Sequence, residues 1–198
     1  MIHEFINKGS EKTIILLHGT GGNEKDLLKV GEIIDPTANL LGIRGNVLEQ
    51  GMPRYFRRLA EGVFDMEDLQ FRTKELYEEI EQLSKQYNFH LAQTTALGYS
   101  NGANILANIL LYYPNVLPKA ILFHPMVPNR EVASSDLSKT TIFISAGVND
   151  PICPKEESEE LTQLFERRNA NVELNWETAG HQLIYDEVLK AKVWNSKY

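Results

Sequence analysis

Cysteine is almost absent from this chain, since Cys153 is the one cysteine among 198 residues. A single thiol excludes an internal disulfide, and no His, Cys and Glu residues have the spacing of metal ligands. The sequence therefore predicts neither a disulfide-stabilised scaffold nor a metal centre, and we expect no cofactor. For Cys153 itself, we expect an inert, partly buried thiol, with a reactive thiol near a functional site as the alternative.

Long apolar runs and an excess of positive charge are also missing. No run of 18 apolar residues is present, so no membrane span is expected, and the first residues do not have the pattern of a secretory signal. Lys and Arg number 20 against 27 Asp and Glu, which gives a net charge of −7. A nucleic-acid partner would require a basic face. We therefore expect a cytoplasmic protein that acts on a small molecule.

Short apolar runs alternate with helical patterns along the chain. A three-to-four-residue apolar period predicts helices over 71–87, 101–113 and 154–169, with a further helix at the C-terminus. This alternation predicts an α/β fold, one domain over 1–198, with a mostly parallel sheet and helices on both faces. The predicted strands are 2–6, 13–19, 38–45, 93–99, 119–125, 140–147 and 171–178.

The motif Gly-Tyr-Ser-Asn-Gly at 98–102 joins the predicted strand 93–99 to the predicted helix 101–113. Ligands of such sheets bind at the carboxyl ends of the strands. A sharp strand-to-helix turn forces strained backbone angles on its central residue, and small residues two positions away on either side remove the clashes. The motif therefore predicts that Ser100 is held above the sheet, in front of a helix N-terminus that favours negative charge. A plain glycine turn is the alternative.

Two later residues have the positions needed to activate this serine. A serine hydroxyl is a poor nucleophile until a base takes its proton, and folds of this kind use the chain order serine, acid, histidine. His124 precedes any suitable acid, whereas His181 follows the last predicted strand. Asp150 follows the strand 140–147, where it could hold the tautomer of His181 and stabilise its imidazolium form. The predicted triad is Ser100, Asp150 and His181.

The segment His-Gly-Thr-Gly-Gly at 18–22 ends the first central strand, where a loop that binds an oxyanion would lie. The predicted donors are the backbone N–H groups of Thr20 and Asn101, with His18 as an orienting residue. A phosphate-binding loop is the alternative. It is disfavoured because Glu24 replaces the last glycine of Gly-x-Gly-x-x-Gly and no Gly-Lys-Ser/Thr ending follows.

The segment 45–69 has neither a helical nor a strand period. Such a long loop in a compact domain is usually functional, so we expect it to shape the substrate pocket. Arg54, Met52 and Phe56 of this segment, together with Met126, are the predicted substrate-binding residues. Core packing is the alternative for the three apolar residues.

Four arginines, at 44, 54, 57 and 58, lie in or beside the same segment. A solvated surface is the plainer explanation of such a cluster. The alternative is that one of them binds an anionic group of the substrate. Only about sixteen residues separate "KAILF" (119–123) from "TTIFI" (140–144), which leaves no room for a cap domain and predicts an open site.

Six segments together resemble one family: "LLHGTGGNE", "RGNVLEQGMPRYFRR", "LGYSNGANI", "FHPMVP", "NDPICP" and "GHQL". They are similar to those of small bacterial carboxylesterases in the phospholipase/carboxylesterase branch of the α/β-hydrolases, which are relatives of acyl-protein thioesterases. The nearest subgroup includes hydrolases associated with the response to hydroquinones. The resemblance implies the Ser100–Asp150–His181 triad, the Thr20 and Asn101 donors, and hydrolysis of short-chain carboxylic esters without a cofactor. The resemblance is also compatible with a homodimer.

Two departures from that family pattern concern acyl-chain preference. Thr20 stands where leucine is common, and Asn101 stands where thioesterases often have glutamine. Both positions supply backbone N–H groups, so catalysis should persist. Three alternatives remain: a thioesterase or lysophospholipase with the same triad, a ligand-binding relative without catalysis, and a nucleotide-binding regulator.

Overall fold

The computed structural model describes residues 1–198 and contains eleven strands and five α-helices. In chain order these are β1 (His3–Ile6), β2 (Thr13–Leu17), α1 (Leu28–Ile34), β3 (Asn39–Ile43), β4 (Val47–Glu49), β5 (Met52–Arg54), β6 (Arg58–Ala60), β7 (Val63–Phe64), α2 (Met66–Tyr87), β8 (Thr94–Tyr99), α3 (Asn101–Tyr112), β9 (Lys119–Phe123), β10 (Thr141–Gly147), α4 (Lys155–Glu166), β11 (Asn171–Glu177) and α5 (Tyr185–Lys197).

Seven strands form the central sheet in the order β1-β3-β2-β8-β9-β10-β11. Every pair is parallel except β1 with β3, which is antiparallel. The inner strands are continuous apolar runs because helices cover both of their faces. The edge strand β11 is only half buried, in agreement with its alternating sequence. The predicted α/β fold with a mostly parallel sheet is confirmed.

The helices form two layers, one on each face of the sheet. On one face α2, α3 and α4 pack against a core of 29 buried residues, and on the other α1 and α5 pack against a core of 13. Helix α3 is buried around its whole circumference, from Asn101 to Leu111, as its apolar sequence predicts. This helix lies directly behind the serine of the motif at 98–102.

The turn between β8 and α3 depends on two glycines at close backbone approaches. A Cβ at Gly98 would lie 2.5 Å from the carbonyl oxygen of Gly102, and a Cβ at Gly102 would lie 2.1 Å from that of Leu17. Ser100, between them, has a positive φ of 52°, which L-residues rarely adopt. The glycines therefore allow α3 to lie against β2 and β8 while Ser100 holds a strained backbone conformation.

The segment 45–69 is more regular than the sequence predicts. It contains two short antiparallel hairpins, β4 with β5 and β6 with β7, and then the first residues of α2. Helix α2 begins five residues before the predicted start, because the Asp65 carboxylate caps it by accepting the N–H of Asp68. Strands of two or three residues are too short to give a recognisable period.

The connection between β9 and β10, residues 124–140, contains no helix or strand, so nothing resembling a cap domain is inserted there. None of the five α-helices has the length and apolar character needed to cross a membrane.

Replacing Gly102 by alanine should destabilise the protein by about 2–3 kcal/mol, because the added methyl group meets the carbonyl of β2 rather than a movable side chain. The measurement is the free energy of unfolding in urea. Gly180→Ala is the matched control, since a Cβ there has its nearest neighbour at an ordinary 3.6 Å. Equal stability of the two variants would contradict this account of the turn.

Candidate active site

Ser100 lies at the carboxyl end of β8, and its side chain faces an imidazole. Its N–H donates to the carbonyl of Phe123 at 2.9 Å, and its own carbonyl accepts the N–H of Asn104 at 2.9 Å. These bonds fix the positive φ of Ser100. Its Oγ lies 2.8 Å from Nε2 of His181, a distance at which the hydroxyl can pass its proton to the ring.

His181 is held from two sides. Its Nδ1 lies 2.7 Å from Oδ2 of Asp150, and the hydroxyl of Tyr99 donates to its backbone carbonyl at 2.9 Å. With Nδ1–H directed at the carboxylate, Nε2 is free to accept the proton of Ser100. The structure thus brings the three residues of the predicted triad into one hydrogen-bonded chain.

Asp150 follows β10 in a tight turn, and its side chain is almost fully buried. Oδ1 accepts the N–H groups of Ile152 at 2.8 Å and Cys153 at 2.9 Å. Burial alone would raise the pKa of Asp150, but these two N–H groups and His181 outweigh it and lower the pKa below the usual value. Asp150 is therefore ionised at neutral pH.

The predicted oxyanion donors lie beside Ser100. Asn101 is the first residue of α3, so its N–H has no partner within the helix. Thr20 lies in the loop after β2 and lines the same cavity as Ser100. The N–H groups of the next two residues already have protein acceptors, since Gly21 donates to the carbonyl of Pro53 in β5 and Gly22 donates to that of Gly19. This use of the glycine N–H groups disfavours a phosphate-binding loop.

His18 has the orienting position that the sequence predicts. Its Nδ1 lies 2.6 Å from the carbonyl oxygen of Gly19, and the N–H of Gly45 donates to its Nε2 at 3.0 Å. Burial lowers its pKa, which favours the neutral ring with one donor and one acceptor nitrogen. His18 therefore fixes the loop 18–22 and does not contact Ser100.

Arg54 connects the β4–β5 hairpin to that loop. Its guanidinium donates to Oγ1 of Thr20 at 2.6 Å and to the carbonyl of Phe56 at 3.3 Å, and it pairs with Glu49 at 3.4 Å. The side chain of Asn101 performs a similar task, since its Oδ1 accepts the N–H of Tyr55 at 2.8 Å. The segment 45–69 is thus bonded to both sides of the site.

A cavity of about 350 Å³ opens at Ser100 and His181. Among the predicted substrate-binding residues, Arg54 and Met126 line it. The other lining residues are Thr20, Arg58, Glu61, Gly62, Phe64, Tyr99, Asn101, Asn104, Ile152 and Cys153. Sequence reasoning missed Phe64 and Ile152, whose side chains supply apolar surface.

Two predicted substrate-binding residues do not line this cavity. Phe56 is fully buried and packs edge-on against Phe64 at 5.0 Å, so it belongs to the core. Met52 is exposed at the tip of the β4–β5 hairpin and lies against Gly21 on the outer side of the loop. Met52 lies in a hairpin and Phe56 in the bend between two hairpins, and neither stretch is long enough to show a side-chain period in the sequence.

The four arginines fall into two groups. Arg54 and Arg58 line the cavity, with Arg58 bound to Glu49 at 2.7 Å. Arg44 pairs with Glu24, and the exposed Arg57 pairs with Asp65 at 3.1 Å, both outside the cavity. The hypothesis of a cation for an anionic substrate group is therefore restricted to Arg54 and Arg58.

Cys153 is more deeply buried than expected, with 3% of its surface exposed. Its Sγ lies 3.3 Å from the carbonyl oxygen of His124. Burial and the nearby Asp150 carboxylate raise the pKa of this thiol far above its ordinary value. The inert thiol is thus favoured over the reactive one.

A second imidazole, which the chain-order argument set aside, contacts the same carboxylate as His181. Nδ1 of His124 lies 3.1 Å from Oδ2 of Asp150, and its Nε2 lies 3.2 Å from Oε1 of Glu187. His124 and Glu187 are fully buried. No sequence motif indicates the contact between His124 and Glu187. The two residues are 63 positions apart and meet only because α5 packs against the end of the sheet.

Comparison with known proteins shows the family to which the chain belongs. The model of the dienelactone hydrolase family matches residues 46–192. "Putative hydrolase MhqD" of Bacillus subtilis is 49% identical over 98% of this chain and 97% of its own length. A crystal structure of the Bacillus cereus carboxylesterase is 55% identical, with a TM-score of 0.96 over 98% of this chain and 93% of that one. The structure of YahD with malic acid is 33% identical, with a TM-score of 0.89 over 99% and 98%. The chain belongs to the dienelactone hydrolase family and is a hydrolase of the dienelactone hydrolase/carboxylesterase type.

Proposed function

We propose that this hydrolase is a serine esterase that cleaves short-chain carboxylic esters through an acyl-enzyme on Ser100. Ser100 Oγ attacks the ester carbonyl while His181 takes its proton, and the N–H groups of Thr20 and Asn101 bind the oxyanion. His181 then protonates the leaving alcohol. Water, activated by the same imidazole, hydrolyses the acyl-enzyme and restores the free serine.

The observation that carries the proposal is the hydrogen-bonded chain of the triad. Ser100 lies 2.8 Å from His181, and His181 lies 2.7 Å from Asp150. Ser100 and His181 both line an open cavity. The strained backbone of Ser100 is a second support, because such strain persists where the surrounding structure maintains it for a function. The proposed chemistry uses protein groups alone, with no cofactor.

The cavity volume of about 350 Å³ favours small substrates over long acyl chains. A thioesterase or lysophospholipase would use the same residues, so acyl length and leaving group distinguish these alternatives. The homodimer and the cytoplasmic location remain predictions. The 33% identical relative was solved with malic acid, a dicarboxylic acid, and this is compatible with a cation beside the site.

Ser100→Ala should lower kcat/KM for p-nitrophenyl acetate by about 10⁴-fold or more, because the nucleophile is lost. A fluorophosphonate probe should label the unchanged protein at Ser100 and leave the variant unlabelled. Rapid mixing should give a burst of p-nitrophenol, the sign of an acyl-enzyme. Ser196→Ala, on the exposed end of α5, is the control and should retain labelling and activity.

Retention of most activity in Ser100→Ala would overturn the acyl-enzyme mechanism. Absence of both labelling and turnover in the unchanged protein would instead favour the ligand-binding alternative, in which the geometry serves no catalysis.

Arg58→Ala should raise KM about 3- to 10-fold for p-nitrophenyl hemisuccinate and leave KM for p-nitrophenyl butyrate unchanged, because only the first ester carries a carboxylate. Arg57→Ala is the matched control, since this neighbouring arginine lies outside the cavity. Arg54→Ala should lower kcat for both esters, because Arg54 also holds Thr20. Equal changes of KM for both esters in Arg58→Ala would exclude an anionic subsite.

A further inference from the structure

His124 occupies a closed position between two carboxylates. It lies directly after β9, with a positive φ of 53°, and its N–H donates to the carbonyl of Ser145 on β10 at 2.7 Å. This backbone conformation directs the ring under the loop that carries Asp150. The ring nitrogens face Asp150 on one side and Glu187, on the first turn of α5, on the other.

Glu187 has a full set of donors. The N–H of Ile184 donates to Oε1 at 2.8 Å, and the hydroxyl of Ser145 donates to Oε2 at 2.7 Å. That hydroxyl in turn accepts an N–H of Asn175 at 3.1 Å, so its single proton is available for Glu187. The third neighbour is Nε2 of His124. Because two donors already point at the Glu187 carboxylate, it presents an acceptor oxygen to Nε2 of His124.

Asp150 also has a full set of hydrogen-bond donors. Oδ1 accepts the N–H groups of Ile152 and Cys153, and Oδ2 faces Nδ1 of both His181 and His124. Four donors match the four lone-pair positions of an ionised carboxylate. His124 therefore has an acceptor on each side, and both of its nitrogens must carry a proton to satisfy them.

We propose that His124 is a positioning residue: a buried imidazolium, fixed between Asp150 and Glu187, that holds the Asp150 carboxylate in place and opposes a second positive charge on His181 before Ser100 gives up its proton. The proposal rests on the proposed function of Ser100, Asp150 and His181.

The charges around His124 favour the protonated, positively charged form of its ring. Burial alone would lower the pKa of His124, but Glu187 and Asp150 outweigh it and raise the pKa above the ordinary value. Two buried carboxylates without a cation between them would carry a large desolvation and repulsion penalty. The positive charge of the imidazolium offsets both the desolvation penalty and the repulsion.

The other titratable groups that face His124 do not alter this balance. Tyr99 meets the ring edge-on at 6.0 Å, and Cys153 places its Sγ 3.3 Å from the backbone carbonyl of His124. The pKa values of both groups are raised, mainly by burial, so both are neutral near pH 7. His181 is the remaining neighbour, at 5.4 Å between ring centroids.

The effect on His181 has a definite sign. A positive charge on His124 opposes a second positive charge on His181, whose ring centroid lies 5.4 Å away. Removing the His124 cation would therefore favour a proton on His181 and so remove the base that Ser100 needs. The effect of the His124 charge can be measured as the midpoint of the acidic limb of kcat/KM against pH.

The first experiment measures that limb in His124→Gln with p-nitrophenyl acetate. Loss of the cation should move the midpoint about one pH unit upward, so that kcat/KM on the limb falls about tenfold. Glu177→Gln is the matched control, because Glu177 is a buried carboxylate of β11 that pairs with Lys190 and does not contact His124. Its midpoint should not move.

The second experiment observes the proton directly, by NMR of the histidine ring nitrogens between pH 6 and 9. In the unchanged protein His124 should keep both ring protons throughout. In Glu187→Gln, Asp150 alone holds the second proton, so His124 should lose it as the pH rises within this range. This measurement needs no substrate and is independent of the proposed esterase activity.

The outcomes separate the two proposals. A lower plateau of kcat/KM with an unmoved midpoint in His124→Gln would reduce His124 to a structural residue and overturn the inference, as would a neutral His124 ring in the unchanged protein. Full activity in Ser100→Ala would overturn the proposed function, while the ring signal would still report the state of His124.

Discussion

The close approach of α3 to β2 is the constraint on which the site depends. A hydrogen atom is all that fits between Gly102 and the carbonyl of Leu17, and the carbonyl of His18 lies next to the same point. The helix N-terminus therefore stands beside the loop that follows β2, and Asn101 and Thr20 line one cavity with Ser100. A bulkier residue at position 102 would separate the serine from the loop that is proposed to stabilise its transition state.

Contacts between distant segments then hold the loops in place. The Tyr99 hydroxyl binds the carbonyl of His181, Asn101 binds the N–H of Tyr55, and Arg54 binds Thr20. The first two bonds join a loop or the segment 45–69 to the central sheet or to α3, and the third joins the β4–β5 hairpin to the loop after β2. The hairpins of 45–69 thus act as a brace for the site as well as one wall of its cavity, which explains why a segment with little apolar periodicity is ordered.

The sequence predicts the sheet and main helices well because apolar runs and helical periods are local properties, and the order Ser100, Asp150, His181 is readable because each residue follows a predicted strand. Prediction fails where side-chain direction depends on tertiary packing. Phe56 and Met52 could not be assigned to core and surface, since the hairpin of Met52 and the bend that holds Phe56 are too short for a period. The contact of Glu187 with His124 depends on how α5 crosses the sheet end, and no local pattern encodes it.

The buried charges around His124 decide what surrounds the proposed base. Without a cation at His124, Asp150 and Glu187 would be two like charges in one closed space, at a large cost in electrostatic free energy. With His124 as a cation, the two carboxylates and the ring carry one net negative charge, which a single proton arriving on His181 from Ser100 neutralises. In the proposed mechanism, the second imidazole thus offsets the charge of the two carboxylates while the proton moves between Ser100 and His181.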